Sequence, residues 1–295
     1  HVRSRRQRQM CIRDRGSDKA IVNWQSFSIA AGETLRVQQP GVSSVLLNRV
    51  VGGDPSLILG QLQANGRVFL VNPRGIVFGR GSQVDAGGLV ASTLDLSDTD
   101  FLAGTYRFTA GRKAGALQAD GRISTPGGTL ALLAPQLQVG GSLDARRVGL
   151  AAGSSVQVDV EGDGLVLFNL RNDDARDTAL RLTGRVLADG GSAELRAQAR
   201  AGAAGQVLNM DGLVQARGLR QAGGRIVIDG GTGGVTQLAG QLDARGERGG
   251  DVTVLGQKIA LLDGARIDAS GRVGGGQVQV GGGFEGQGTA HTAQR

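Results

Sequence analysis

Apolar residues recur at every second position in short runs that end at glycine or at Asp and Asn. Residues 225–228, 251–254 and 277–280 are runs of this kind. Alternation with a period of two, bounded by turn residues, predicts β-strands. The nearest approach to an amphipathic helix is a weak pattern over residues 173–185. We therefore expect an all-β protein.

A five-residue phrase, apolar-x-Ala-x-Gly, recurs along the chain. Copies begin at Leu62, Leu117, Val214, Leu242 and Ile267, and degenerate copies begin at Leu143 and Val186. The pairs 117 and 143, 214 and 242, and 242 and 267 are 25 to 28 residues apart. A period near 26 residues, holding two or three short strands, predicts one coil of a parallel β-helix. In such a coil aliphatic side chains stack inside and glycines turn the corners.

Two other repeat architectures fit this pattern less well. A leucine-rich repeat requires a Leu-x-x-Leu-x-Leu phrase, and a β-propeller requires blades of about 40 residues with aromatic signatures. Aromatic residues are only 3% of this chain, and after residue 110 only Phe168 and Phe284 remain. The N-terminal half is thus specialised. We expect an N-terminal cap or core at that end of the solenoid, formed by Trp24, Phe27, Phe69 and Phe78.

Composition and charge exclude several classes of protein. Glycine makes up 52 of 295 residues without a Gly-X-Y period, which argues against both helical proteins and collagen. The net charge is +7, but +5 of it lies in residues 1–19. We interpret that segment as a non-native or disordered basic leader, and we expect no nucleic-acid partner. No run of 18 apolar residues occurs, so no transmembrane helix is predicted.

Residues able to carry catalysis or bind a metal are scarce. The two histidines, His1 and His291, lie at the ends, and Cys11 is the single cysteine. This set cannot form an internal disulfide or a cysteine–histidine zinc site. We therefore predict no catalytic residue, no metal and no cofactor.

A carboxylate cluster leaves a second function open. Asp173, Asp174 and Asp177 are typical of a solvated loop between coils. Parallel β-helices also host polysaccharide lyases and hydrolases, which use gathered carboxylates. A β-helical carbohydrate-active enzyme is therefore the alternative hypothesis.

Ordered motifs between residues 21 and 108 carry a resemblance to a known family. They are Asn23-Trp24-Gln25-Ser26-Phe27, Gln39-Pro40, Leu47-Asn48-Arg49-Val50, Ser56-Leu57-Ile58-Leu59-Gly60, Asn65-Gly66 and Asn72-Pro73-Arg74-Gly75-Ile76. The segment closely resembles the secretion domain at the N-terminus of filamentous-haemagglutinin-type exoproteins of two-partner secretion systems. The later part of the chain looks like the coils that follow in large members.

The resemblance implies a right-handed, single-stranded parallel β-helix. It divides the chain into a secretion domain over 20–170 and adhesin repeats over 171–295, truncated at the C-terminus. The expected partner is an outer-membrane transporter whose periplasmic POTRA domains recognise the exoprotein. The exoprotein then passes through the periplasm and folds at the cell surface as an adhesin or haemagglutinin. The signal peptide expected in the family is missing from this fragment.

The resemblance also implies further properties. We expect a monomer. A host-cell receptor or glycan would bind regions outside this sequence. A delivery stalk of a haemolysin or contact-dependent toxin is a further alternative.

The expected transporter-recognition residues lie in two motifs. They are Asn48, Arg49, Asn72, Pro73, Arg74, Gly75 and Ile76. The family motif is Asn-Pro-Asn-Gly-Ile, so Arg74 departs from it. Residues 72–75 nevertheless suit a type I turn. From their residue type, Asn48, Asn65 and Asn72 are expected to satisfy backbone groups at the corners of the coils.

Overall fold

The structure, a computed structural model, describes residues 7–11, 18–111, 114–158, 169–171, 179–199, 205–218 and 223–281. The elements of the first part are β1 (Gln7–Cys11), β2 (Lys19–Trp24), β3 (Thr34–Gln38), β4 (Val45–Val50), β5 (Ser56–Ile58), β6 (Gln61–Ala64), β7 (Arg67–Val71), β8 (Ile76–Phe78), β9 (Gln83–Asp85), β10 (Gly88–Ser92), β11 (Asp95–Leu96), α1 (Asp98–Ala103), β12 (Tyr106–Thr109) and β13 (Leu117–Ala119).

Strands also dominate the remainder of the chain. They are β14 (Arg122–Ala134), β15 (Gln136–Val139), β16 (Ser142–Ala152), β17 (Ser155–Val158), β18 (Asn169–Arg171), β19 (Ala179–Leu182), β20 (Arg185–Leu187), β21 (Ser192–Ala197), β22 (Gln206–Met210), β23 (Leu213–Gln215), β24 (Arg225–Asp229), β25 (Val235–Leu238), β26 (Gln241–Asp243), β27 (Gly246–Arg248), β28 (Asp251–Leu255), β29 (Lys258–Leu261), β30 (Arg266–Asp268), β31 (Gly271–Gly274) and β32 (Gln277–Val280).

The chain winds through three parallel faces in a fixed order. Face A holds β2, β4, β7, β10, β21, β24, β28 and β32; face B holds β1, β3, β6, β9, β20, β23, β26 and β30; face C holds β5, β8, β13, β15, β19, β22, β25 and β29. The long strands β14 and β16 bend and contribute first to face B and then to face A. Each coil therefore runs from A to C to B, and the fold is the predicted β-helical solenoid.

Equivalent aliphatic residues of successive coils stack inside the solenoid. One column on face B contains, in order, Leu35, Leu62, Val84, Ile123, Leu143, Val186, Val214, Leu242 and Ile267. The column holds because strands of period two send alternate side chains inward, and parallel pairing keeps like residues in register. A coil cannot cover its own inner face, so stacking on its neighbours supplies the burial.

The predicted period of about 26 residues does not apply to every coil. Coils differ in length: Ile123 pairs with Leu143, whereas Val186 pairs with Val214. The phrase beginning at Leu117 also belongs to face C, where it pairs with Leu137. The phrase occurs where a strand ends at a glycine corner. Such corners follow strands of both face B and face C, so copies from the two faces have similar sequences.

Within the described ranges, two coils carry insertions after their face A strand. The first insertion contains β11, α1 and β12, and the second contains β17 and β18. Together β11, β12, β17 and β18 form an antiparallel sheet, which we call, with α1, the outer layer. It covers a second apolar cluster on the outside of face A, in which Phe69 packs against Phe101, Tyr106 and Phe108 with ring centroids 5.0 to 6.5 Å apart.

The helix α1 was not predicted from the sequence. The Ser97 side chain accepts a hydrogen bond from the Asp100 amide, and Gly104 ends the helix with φ +76°. The Lys19 ammonium donates to the carbonyl oxygens of Phe101 and Leu102 and so ties α1 to β2. The weak helical pattern over 173–185 forms no helix in its described part, which contains β19 and the start of β20. In the described part of the chain, no helix is long and apolar enough to cross a membrane.

The strand β1 lies inside the segment predicted to be a leader. It pairs in parallel with β3 from Gln7–Thr34 to Cys11–Gln38. Residues 1–19 therefore contain a regular strand, although their interpretation as a leader is a prediction, as are the domain boundaries at residues 20 and 170.

Candidate functional site

The two predicted recognition motifs lie where face A turns toward face C. Asn48 projects into the solenoid because its neighbours Leu46 and Val50 belong to the inner core. Its amide oxygen accepts from the Trp24 indole at 3.1 Å, and its amide nitrogen lies 3.4 Å from the Phe69 carbonyl oxygen. The side chain is fully buried. These hydrogen bonds offset the cost of burying an amide, as predicted from its residue type.

The second motif forms the predicted hydrogen-bonded turn. The Gly75 amide donates to the Asn72 carbonyl at 3.1 Å, and the Asn72 side-chain oxygen accepts from the Arg74 amide at 2.9 Å. The Asn72 amide nitrogen donates to the Asp54 carbonyl and to the Ser56 hydroxyl, both at 3.0 Å. Gly75 has φ +129°, a conformation that only glycine adopts without strain. Asn72 is fully buried, so its polar groups are used within the fold.

Arg49 points to the opposite side of β4 from Asn48 and binds the outer layer. Its guanidinium pairs with Asp95 at 3.3 Å and with Asp98, and it also donates to the Leu96 carbonyl. Its side chain is 14% exposed. Arg49 therefore joins face A to the first insertion.

Only part of the predicted recognition set reaches the surface. Arg74 is exposed and Pro73 is half-buried, whereas Ile76 stacks inside on face C. Arg49, Arg74 and Asp95 line a cavity of about 600 Å³ at this corner, together with the exposed Val51. We call this cavity the motif cavity. The structure thus brings the two motifs together, but it presents arginines rather than asparagines to solvent.

The other residues singled out from the sequence make hydrogen bonds or packing contacts within the fold. Asn65 exchanges two hydrogen bonds with the backbone of Gln39, at 2.7 and 2.8 Å. Trp24 and Phe27 make an edge-to-face contact of 5.6 Å at the first described coil of face A, and Phe78 is buried in the inner core. Phe69 lies on the outside of face A under the outer layer. Their division between cap and core stays a prediction.

The carboxylates of the alternative hypothesis, Asp173, Asp174 and Asp177, lie outside the described residues. The same holds for the two histidines, His1 and His291, and for the side chain of Cys11. Among the residues that the structure does describe, no three His, Cys, Asp or Glu side chains form a group able to hold a metal ion.

Sequence reasoning missed a charged cluster on the outside of face A. Glu194 is only 2% exposed and lies 3.4 Å from Arg196, which in turn lies 3.7 Å from Asp229. Burial raises the pKa of Glu194, and the arginine beside it opposes that rise. The alternation of residues along β21 correctly places Glu194 on the outside of the solenoid, between Ala193 and Leu195. The same alternation predicts that an outward side chain is exposed, whereas Glu194 is buried.

A second unpredicted feature is a ladder of ion pairs at the corner between faces B and A. Asp243 accepts hydrogen bonds from Arg217 at 3.0 Å and from Arg245 at 2.9 Å, and Arg245 also lies 3.7 Å from Asp268. The hydrogen bonds from Arg245 lower the pKa of Asp243 to about 2. The recurring phrase supplies these residues, since coils in register bring the aspartate of one copy to the arginine of the copy before it.

Comparisons with known proteins agree with this architecture. A family model described as TPS secretion domain matches residues 7–254. Two heme/hemopexin-binding proteins of Haemophilus influenzae are 42% identical over 94 residues and 34% identical over 116 residues. These matches cover 32% and 39% of this chain, but only 10% and 13% of those relatives.

A solved structure extends the likeness to nearly the whole chain. The HMW1 secretion domain from Haemophilus influenzae superposes with a TM-score of 0.83 and 25% sequence identity. The superposition covers 95% of this chain and 77% of that one. Since the family model spans more than half of the chain and the fold agrees, this chain belongs to the TPS secretion domain family, the secretion modules of two-partner exoproteins.

Proposed function

We propose that this chain is recognised by the POTRA domains of an outer-membrane transporter before it folds. The observation that carries the proposal is the burial of Asn48 and Asn72. Their amides are used by Trp24, Ser56 and backbone groups, so a partner reads these side chains only in a chain that has not folded. Membership of the TPS family implies such a transporter.

Strand addition is the recognition mode that suits an unfolded β-chain. Short alternating segments such as β4 and β7 offer free N–H and C=O groups before their coil neighbours arrive. A strand of the transporter can pair with them, and the asparagines then supply specificity. Coil formation later takes the same backbone groups for β4–β7 pairing, so folding and transporter binding compete.

Folding outside the cell would then retain the chain there. Each new coil buries aliphatic residues such as Val186 and Val214 on the coil before it. A fully buried aliphatic side chain contributes about 1.5–3 kcal/mol. We propose that this stepwise gain biases translocation outward, and that the intact exoprotein acts as an adhesin or haemagglutinin. The heme/hemopexin-binding relatives are much longer than the segments that match this chain.

A binding experiment tests the order of recognition and folding. The chain is unfolded in urea, diluted, and mixed at once with the purified periplasmic domains of its transporter, and a refolded sample is mixed in parallel. We expect affinity for the freshly diluted chain to be at least about tenfold higher. Equal binding by the refolded chain would overturn the proposal.

A motif variant sharpens the experiment. Arg74→Asn restores the family motif at an exposed position, so we expect tighter binding of the unfolded chain with unchanged stability. Arg107→Asn is the matched control, because it removes an exposed arginine outside both motifs. An equal effect of the two substitutions would show that charge, and not the motif, determines binding.

Attachment needs a test of the intact exoprotein. A strain lacking the gene is compared with its parent for adhesion to host cells and for agglutination of erythrocytes. We expect both to fall in the deletion strain and to return with the full-length gene. Unchanged adhesion and agglutination would reject the adhesin assignment and leave the secretion assignment standing.

A further inference from the structure

A shallow groove crosses five coils at the corner between face C and face B. Its cavity has a volume of about 560 Å³. Glycines and Leu213 form part of its lining, and its charged and hydroxylated side chains are those of Arg80, Asp120, Arg122, Ser142, Thr183 and Arg185. We call it the arginine groove. It lies apart from the motif cavity, and neither the family nor the secretion step explains it.

The floor of the arginine groove is backbone. A Cβ atom added at Gly141 would lie 2.0 Å from the carbonyl oxygen of Gly121, and one at Gly184 would lie 2.0 Å from that of Gly141. No side chain fits at these corners without moving the neighbouring coil. The walls are therefore formed by the residues on either side, and the groove is open along the solenoid axis.

The arginines stand at equivalent positions of alternate coils. Arg122 pairs in register with Ser142, and Ser142 pairs with Arg185. Neighbouring parallel strands lie about 4.8 Å apart, so the backbones of Arg122 and Arg185 are about 10 Å apart with the small Ser142 between them. Both arginines are exposed, as is Arg80.

These three arginines form a local excess of positive charge. None of the three makes an ion pair with another residue in the described ranges. By contrast, Arg49, Arg217 and Arg245 are all held by carboxylates. The excess stands out because residues 20–295 carry a net charge of only +2. An anionic group would supply a partner for these guanidinium groups.

The other side chains indicate which anion fits. Asp120 accepts a hydrogen bond from Gln118 at 2.7 Å and keeps its second oxygen beside Gly140 in the groove. The Asp120 carboxylate repels any anionic group placed against it but accepts hydrogen bonds from sugar hydroxyls, so a ligand with both anionic groups and hydroxyls fits this mixed lining. Ser142 and Thr183 add hydroxyls of their own, and none of the described residues that line the groove is an aromatic residue able to stack on a base.

We propose that the arginine groove binds an extended acidic polysaccharide. Carboxylate or sulfate groups on the polymer pair with Arg122 and Arg185, and sugar hydroxyls contact Asp120, Ser142 and Thr183. The polymer lies along the solenoid axis, because coil stacking repeats the contacts in that direction. A folded secretion module would then contribute to attachment directly, in addition to directing export.

The test uses the full folded chain and three probes. Polygalacturonate carries carboxylates, dextran sulfate carries sulfates, and dextran carries no charge. We expect one or both acidic polymers to bind and dextran not to bind. Arg122→Ala with Arg185→Ala should weaken binding of the acidic polymer at least about tenfold. The matched control, Arg107→Ala with Arg248→Ala, removes two exposed arginines elsewhere and should change affinity less than about twofold.

A shape variant separates a groove from a general charge effect. Ser142→Leu fills the gap between the two arginines and leaves every charge in place, so binding should fall while the circular dichroism of the fold is retained. Equal losses in the two double variants, or no loss with Ser142→Leu, would overturn the proposal. Binding of a 20-nucleotide single-stranded DNA with the same dependence on Arg122 and Arg185 would also overturn the assignment to a polysaccharide.

Discussion

The first coils and the last coils share one interior but have different exteriors. On face A, one outward column begins with Ile21, Leu47, Phe69, Val90 and Ala131 and continues with Gly149, Glu194, Val227, Thr253 and Gln279. The apolar part lies under the outer layer, and the polar part follows it. The inner column of face B, by contrast, stays aliphatic from Leu35 to Ile267. The solenoid therefore requires an apolar interior in each coil, whereas its outer surface differs from coil to coil.

The two regions are also stabilised between coils by different means. The first coils bury aromatic rings between face A and the outer layer. Tight glycine corners occur in both regions, but the later coils add the ion ladder around Asp243. The first region therefore depends more on aromatic packing and the second more on charge. Substitutions in each region should therefore respond to different conditions.

The largest expected effect comes from removing the central ring of the outer cluster. Phe69→Ala deletes a buried ring that contacts three others, so we expect a loss of about 3–5 kcal/mol in the free energy of unfolding. Val227→Ala, in the same column but beyond the aromatic cluster, should cost only about 1–2 kcal/mol. Urea unfolding measures both. Similar losses would contradict the distinction between the regions.

Glycine corners give the next effect, in the later coils. A Cβ at Gly250 would lie 2.1 Å from the Gly224 carbonyl oxygen, so Gly250→Ala forces the coils apart and should cost about 3 kcal/mol. At Gly274 no atom lies within 4 Å of such a Cβ, which makes Gly274→Ala the matched control. Thermal unfolding of the two variants should differ clearly. A stable Gly250→Ala variant would show that the corners tolerate side chains.

The ion ladder gives a smaller, pH-dependent effect. Because the pKa of Asp243 falls from 3.8 to about 2 on folding, its charge stabilises the fold above pH 3.8, and this contribution disappears as the pH falls toward 2. Asp243→Asn should therefore cost about 1–2 kcal/mol at pH 6 and much less near pH 2. Urea unfolding at both pH values measures the difference, with the exposed Asp251→Asn as control. A loss independent of pH would assign the effect to packing.

Glu194 should give the smallest effect, and one of opposite sign. Burial raises its pKa, so its charge destabilises the fold above the pKa of the unfolded chain, and that cost is absent at low pH. We expect Glu194→Gln to stabilise the protein by about 0.5 kcal/mol at pH 7 and to be neutral near pH 4. The same unfolding series measures it. Destabilisation at pH 7 would show that the pair with Arg196 outweighs the cost of burial.

Much of the fold follows from local pattern. Period-two alternation with glycine corners correctly predicted a stacked β-solenoid, and the asparagines bond backbone groups as their residue type suggested. The recurring phrase is a poorer guide to position in the coil. Leu117 and Leu143 both begin a copy of it, although they lie on different faces. The sequence of a short strand does not identify the face of the solenoid on which it lies.

The short helix shows a signal that was available but weak. Ser97 followed three residues later by Asp100, with Gly104 beyond, is an N-cap and C-cap pattern. Six residues are too few for an apolar period to appear, so α1 forms because Phe101 packs into the outer cluster and Lys19 binds its last carbonyls. Tertiary contacts, and not helix propensity, account for this element.

The sequence by itself determined the coil, the family and the turn at residues 72–75, because these depend on local alternation, corner residues and ordered motifs. Only the tertiary structure decided which polar groups are buried, where the outer layer lies and which arginines share one groove. The reason is the register between coils. Insertions and unequal coil lengths determine which residues become neighbours about 4.8 Å apart, and a local sequence pattern does not contain that information. Asn48 and Arg49 are adjacent in the chain, yet the Asn48 side chain is buried inside the solenoid, whereas the Arg49 side chain pairs with the outer layer.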